Sequence, residues 1–197
     1  MVTFTLEHHY ILISNRDKCE KLLKKKKRTR TDIIDFLVSL HLVLEVGLNA
    51  FYRNIILIQL QKGIEQTVVA NNLDNIDFIN KTALFFYLPS FDFGGRISDA
   101  DKYHAAIGKL KQFCEVRNRL LHGHMDGQIN YGEERVVHTR TSELISENTI
   151  KTQIEIFQFV MESVKFYFDH LKSSITVDGK ENIKYFYLSA SFLEGDK

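Results

Sequence analysis

Apolar residues recur along most of this chain at intervals of three and four, the spacing of one face of an α-helix. The longest such run, from about Ile33 to Gln61, is apolar around much of its circumference, which predicts a helix at the centre of a bundle. Thr31 or Asp32 is the expected cap at its start. A shorter helix is expected over Ile76 to Tyr87, before the single proline, Pro89. The "SDAD" at 98–101, with Ser98 as cap and Asp101 near the third helical position, opens another that runs to about His122. A last helix is expected from just after Ser146 to about Leu171, with Ile150, Ile154, Phe157, Met161, Val164 and Phe168 inward. Residues 2–13 alternate weakly and admit a short strand or a helix, and helical character returns around Asp17–Lys27. Residues 62–74 read as a loop and 125–142 as a hairpin or an ordered loop, while 174–197 fit either a strand or a terminal helix.

Two departures from the apolar pattern carry information. His41, Glu45, Asn49 and Arg53 follow one another at intervals of four and make one polar row along the central helix. That row suits either a solvated face or the lining of a polar cleft. In the 98–122 helix, the stripe of Tyr103, Ala106, Ile107, Leu110, Phe113, Cys114, Leu120 and Leu121 passes through Arg117. A charge at such a position is costly unless it is paired or wetted, so Arg117 needs a reason. Pairing with a bundle carboxylate such as Glu45 is the plain one.

Composition supports the helical reading and narrows the class. The chain has 197 residues, 44% of them hydrophobic, with one Pro and 10 Gly, enough for one core-forming domain joined by few sharp turns. The fold expected is an all-α bundle of four to five helices in up-down order over 32–172. Residues 1–31 form an N-terminal arm in this reading, and 173–197 a tail. Two cysteines, Cys19 and Cys114, have neither metal-like nor disulfide-framework spacing. No signal-like leader and no uninterrupted apolar span is present, so a soluble, cytoplasmic protein without a membrane partner is expected. Net charge is only +1, yet residues 18–30 hold eight Lys/Arg and one Glu, leaving 18 basic against 24 acidic residues elsewhere. Such a cluster, with Lys24, Lys25, Lys26, Lys27 and Arg28 at its centre, is able to gather a polyanion such as RNA; a solvated basic face is the alternative.

The chemistry concentrates in "CEVRNRLLHGH", residues 114–124. On an ideal helix Asn118 and His122 share a face, whereas Arg117 lies about 100° from Asn118 and about 140° from His122. Gly123 lets the helix end there, and a second copy of the helix across a twofold is another way to bring Arg117 and His122 together. A histidine moves protons near neutral pH, an arginine holds a phosphoryl oxygen, and an asparagine orients either. That set suits RNA cleavage without a metal, by attack of the 2′-OH on the adjacent phosphorus.

Arg117-Asn118-Arg119-Leu120-Leu121-His122 resembles the R-(N/H/D)-x-x-x-H signature of the HEPN superfamily, and the following Gly123 is similar to its bacterial members. The resemblance covers roughly residues 32–172. It implies a four- to five-helix bundle that forms a homodimer, and a metal-independent endoribonuclease of the kind found in toxin–antitoxin and phage-defence systems. It implies catalytic roles for Arg117 and His122, with Asn118 supporting, and a supporting role for Glu45 or Asn49. RNA is the implied substrate, an antitoxin or other regulatory protein a further partner, and no cofactor is implied. Arg119 is expected at solvent or on the RNA backbone. A zinc site from His8, His9, His124 and His138 lacks any accompanying Cys or carboxylate cluster. Two other functions suit the same fold: a module that binds RNA or a nucleotide without cleaving it, and a structural subunit that docks a partner protein.

Overall fold

Each stretch of three-and-four spacing that a computed structural model describes is a helix, and no strand occurs among the described residues, which are 6–59, 72, 75–84, 100–121 and 144–171. The elements are α1 (Leu6–Leu23), α2 (Arg30–Gln59), α3 (residues 78–84), α4 (Ala100–Leu121) and α5 (Glu147–Leu171). The protein is an all-α bundle. The segments at 125–142 and 173–197 lie outside the described residues, as do Ser98, His122 and His124.

α2 is the axis. Its apolar residues, Phe36, Leu40, Val43, Leu44 and Leu48 among them, are buried against α1, α4 and α5 together. A 30-residue helix this apolar has no stable solvent-facing alternative, so partners must cover most of its surface. α4 contributes Ala106, Leu110, Phe113 and Cys114, and α5 contributes Ile150, Ile156, Phe157, Val160 and Met161. The rings of Phe113 and Phe157 meet with centroids 6.4 Å apart.

The segment expected as an N-terminal arm is, in its described part, a bundle helix. Residues 6–13 are helical rather than extended, and Leu12, Cys19 and Leu22 enter the core at intervals of seven and three. Over residues 6–13 the weak alternation gave way because burying this stripe on α2 outweighs local strand preference. The fold-back is a hairpin: Lys18 Nζ lies 3.3 Å from Asp35 Oδ2, and the Cys19 thiol donates to the Phe36 carbonyl at 3.8 Å.

The turn between α1 and α2 is held by charges. Arg28 donates to the carbonyls of Leu22 and Leu23 at the end of α1, both at 2.7 Å, and its Nη1 reaches Glu147 at the start of α5, also at 2.7 Å. One guanidinium therefore closes one helix and ties it to the beginning of another. α2 starts one turn earlier than expected. Thr29, not Thr31 or Asp32, is the cap: its Oγ1 accepts from the Asp32 N–H at 3.2 Å, and Asp32 Oδ2 accepts from the Thr29 N–H at 3.0 Å. Asp77 and Ser146 cap α3 and α5 by the same chemistry.

Candidate functional site

The polar row of α2 turns inward. His41 is buried, Glu45 and Asn49 are half-buried, and all three lie on a core helix; the Arg53 side chain is outside the described residues. The neighbours explain the placement. The imidazole of His41 stacks on Phe113 of α4, with centroids 5.5 Å apart and 15° between planes. Phe78 of α3 meets its edge at 6.3 Å and 71°. Aromatic walls favour a flat ring that still carries a polar edge, and that edge is used. His41 Nε2 lies 2.9 Å from Glu45 Oε2, one helical turn on.

Glu45 is the hub of this seam. The hydrogen bond from His41 holds its carboxyl below the ordinary carboxylate range, against the opposing effect of burial. The charges of Arg117 on α4 and Lys81 on α3 act in the same direction as the hydrogen bond. Lys81 is itself only 5% exposed, unusual for a lysine unless a carboxylate is at hand. Just beyond lie Thr82, which donates to the Phe78 carbonyl at 2.8 Å, and Tyr52, whose phenol burial pushes up. Two atoms of the α2 row stand out: His41 Nδ1 and Asn49 Oδ1 are buried with no hydrogen bond among the described residues. Each such atom costs about 1–3 kcal/mol, a cost that an apolar core would not carry.

The stripe of α4 behaves as its spacing predicts up to Cys114 and then opens. Ala106, Leu110, Phe113 and Cys114 are buried, Leu120 is half-covered, and Leu121 is 52% exposed. Arg117 falls at this transition and is half-buried. Its Nη1 donates to Asn118 Oδ1 at 2.9 Å, and this is its hydrogen bond among the described residues. Direct pairing with Glu45, the plain expectation, is replaced by a longer-range attraction. Arg119 forms an i,i+4 ion pair with Glu115 on the outer face of α4, at a side chain 40% exposed.

Neither cysteine is poised for chemistry. Burial pushes both thiols up to about 12, with Glu45 adding to the effect at Cys114 and Arg117 opposing it. Among the described residues no three His, Cys, Asp or Glu side chains gather in a way that could hold a metal. No helix among them is long and apolar enough to cross a membrane.

The basic stretch divides into two kinds of residue. Lys24 pairs with Glu20 at 2.6 Å, Lys25 pairs with Asp32 at 2.8 Å, and Arg28 is spent on helix ends. Lys26 and Lys27 are exposed and make no ion pair among the described residues. Sequence reasoning missed Lys81 and undervalued His41. The signal for His41 was its place at the apolar end of a four-residue polar row; nothing in the pattern around Lys81 marked it as buried. No family model, curated protein or solved structure matches this chain.

Proposed function

We propose that the protein is a HEPN-type endoribonuclease, cleaving RNA without a metal at a site completed by a second copy of the chain. The observation that carries this reading is the state of Arg117: half-buried at the end of a core stripe, steadied by Asn118, and with no ion pair among the described residues. A guanidinium so placed is suited to the two non-bridging oxygens of a phosphodiester. In the proposed reaction one His122 takes the proton from the ribose 2′-OH, and the 2′-oxygen bonds to phosphorus. The bond from phosphorus to the 5′-oxygen breaks, and that oxygen receives a proton from the partner copy's His122. Arg117 neutralises charge that builds on the phosphoryl oxygens. The products are a 2′,3′-cyclic phosphate and a free 5′-OH. A cytoplasmic setting and control by an antitoxin or other regulatory protein belong to the same proposal.

The test is incubation of total RNA with the purified protein in EDTA, followed by end analysis. Cyclic phosphate ends that vanish in both His122→Ala and Arg117→Ala support the reading. RNA retained but uncut by the wild-type protein replaces it with a binding module, and no RNA affinity at all leaves a structural subunit.

A further inference from the structure

The charges at the end of the α1–α2 hairpin do not balance. Residues 18–30 hold eight Lys/Arg, and the carboxylates that meet them are taken one by one. Glu20 pairs with Lys24, Asp32 with Lys25, Asp35 with Lys18 and Glu147 with Arg28. Lys21, Lys26, Lys27 and Arg30 are left over: each is exposed, and none makes an ion pair among the described residues. All four lie between the last turn of α1 and the first residue of α2. Their backbone is held by the Arg28 bridge and by the reciprocal Thr29–Asp32 cap, so the surplus is presented from a fixed frame. The rest of the chain, with 18 basic against 24 acidic residues, repels a polyanion and steers it to this end.

We propose that this end of the hairpin is a docking surface for the phosphate backbone of a nucleic acid, contacted by Lys21, Lys26, Lys27 and Arg30 without regard to base sequence. The surface is not the lysine run as such. Lys24, Lys25 and Arg28 are occupied within the turn, and Lys21 and Arg30 take their place. It is separate from the Arg117 site: Phe113, one turn before Arg117, stacks on His41, which lies eleven residues past Arg30 and roughly 16 Å along α2. The proposal therefore does not rest on the ribonuclease reading and holds equally for a binding module. A membrane partner calls for apolar side chains beside the cations, to anchor in the interface. The exposed large apolar residues of α1 are Tyr10 and Ile11, and Ile11 is roughly 15 Å along the helix from Lys21. A specific protein partner calls for an apolar anchor of its own. Cations without one fit a ligand whose negative charge repeats evenly and whose binding is driven by release of its counterions.

The test is binding of the full chain to a fluorescein-labelled oligothymidylate, measured from low to high salt. DNA has no 2′-OH, so the probe is not cut and binding is read apart from cleavage. Lys26→Gln with Lys27→Gln removes the same net charge as Lys24→Gln with Lys25→Gln. The first pair should lower the salt slope by about 1.4, at about 0.7 for each phosphate contact, and the second by well under half of that. Adding Lys21→Gln and Arg30→Gln to the first pair should roughly double the loss, while Lys26→Arg with Lys27→Arg should keep the wild-type slope. The substituted side chains are exposed, and far-UV circular dichroism checks that each variant is folded. Equal losses from the two Gln pairs would make the effect one of net charge and overturn the surface, as would an unchanged slope in the fourfold variant. A slope that falls only in Arg117→Ala would move the backbone contact to that site. Capture by phosphatidylserine vesicles with no affinity for the oligonucleotide would replace the nucleic acid by a membrane. A failure of the ribonuclease reading appears separately, as absent cyclic phosphate ends from RNA, and the salt slope still decides the surface.

Discussion

The α1–α2 turn and the α2–α4 seam both carry dense charge, and they use it in opposite ways. At the turn, Arg28 gives its donors to Leu22, Leu23 and Glu147, while Lys24 and Lys25 pair with Glu20 and Asp32. Those charges are consumed by the fold. At the seam, among the described residues, Arg117 makes one hydrogen bond, to Asn118, and the α2 row holds two buried atoms without partners. Charge that is fully satisfied builds structure; charge left partly unsatisfied in a buried place is where chemistry is to be sought. Of the conspicuous run of lysines, Lys24 and Lys25 thus pair within the turn while Lys26 and Lys27 do not.

The contrast can be broken most forcefully at Phe113, which is core and the platform for His41. Phe113→Ala should cost about 3–5 kcal/mol in urea unfolding, the range for removing a buried aromatic ring. At the turn, Arg28→Ala leaves the Leu23 carbonyl without its Arg28 donor and Leu22 with only the Lys25 N–H at 3.3 Å, and should cost about 1–3 kcal/mol. Arg28→Lys should recover little of that, since one ammonium cannot reach both carbonyls and Glu147. If Arg28→Ala were as stable as wild type, the turn would not be architecture.

A smaller effect sharpens the assignment of the cap. Thr29→Ala should cost about 0.5–2 kcal/mol near neutral pH. Its partner Asp32 is held at about 2, below its ordinary 3.8, by the Lys25 ammonium first and then the Thr29 N–H. A depressed carboxyl stabilises above its unfolded value and loses that contribution as pH falls through its folded value. Asp32→Asn should therefore weaken the fold at neutral pH and converge on wild type as the pH drops from 3.8 towards 2. Unfolding curves at the two ends of that window check it. The smallest effect belongs to Lys26 and Lys27. Changing both to Gln should leave stability within about 0.5 kcal/mol. If they meet RNA, the salt slope of binding should fall by about 0.7 for each phosphate that they neutralise.

Helix positions were legible in the sequence because periodicity and caps speak locally. The last helix was expected to start after Ser146 and to run to about Leu171, and α5 is Glu147–Leu171. Ile150, Phe157 and Met161 are buried as the stripe required. The role of α1 was not legible, because its worth depends on α2 lying against it, a tertiary fact that weak local alternation hides. The same holds for the cap: Thr29, Thr31 and Asp32 all suit, and only the lysine partner and the Arg28 bridge select Thr29. At the site, Arg117 was found because a charge interrupts an apolar stripe. Lys81 was not, because no local pattern around it displays the burial that packing of α3 gives it.

The proposed cutting of RNA through Arg117 and His122 is tested by the rate and end chemistry of cleavage by wild type and His122→Ala in EDTA. Wild type should give 2′,3′-cyclic phosphate ends, and the variant should lose on the order of 10²–10⁴ in rate with dimer formation and RNA binding retained. Equal cleavage by the two, from preparations free of contaminating nuclease, would contradict it.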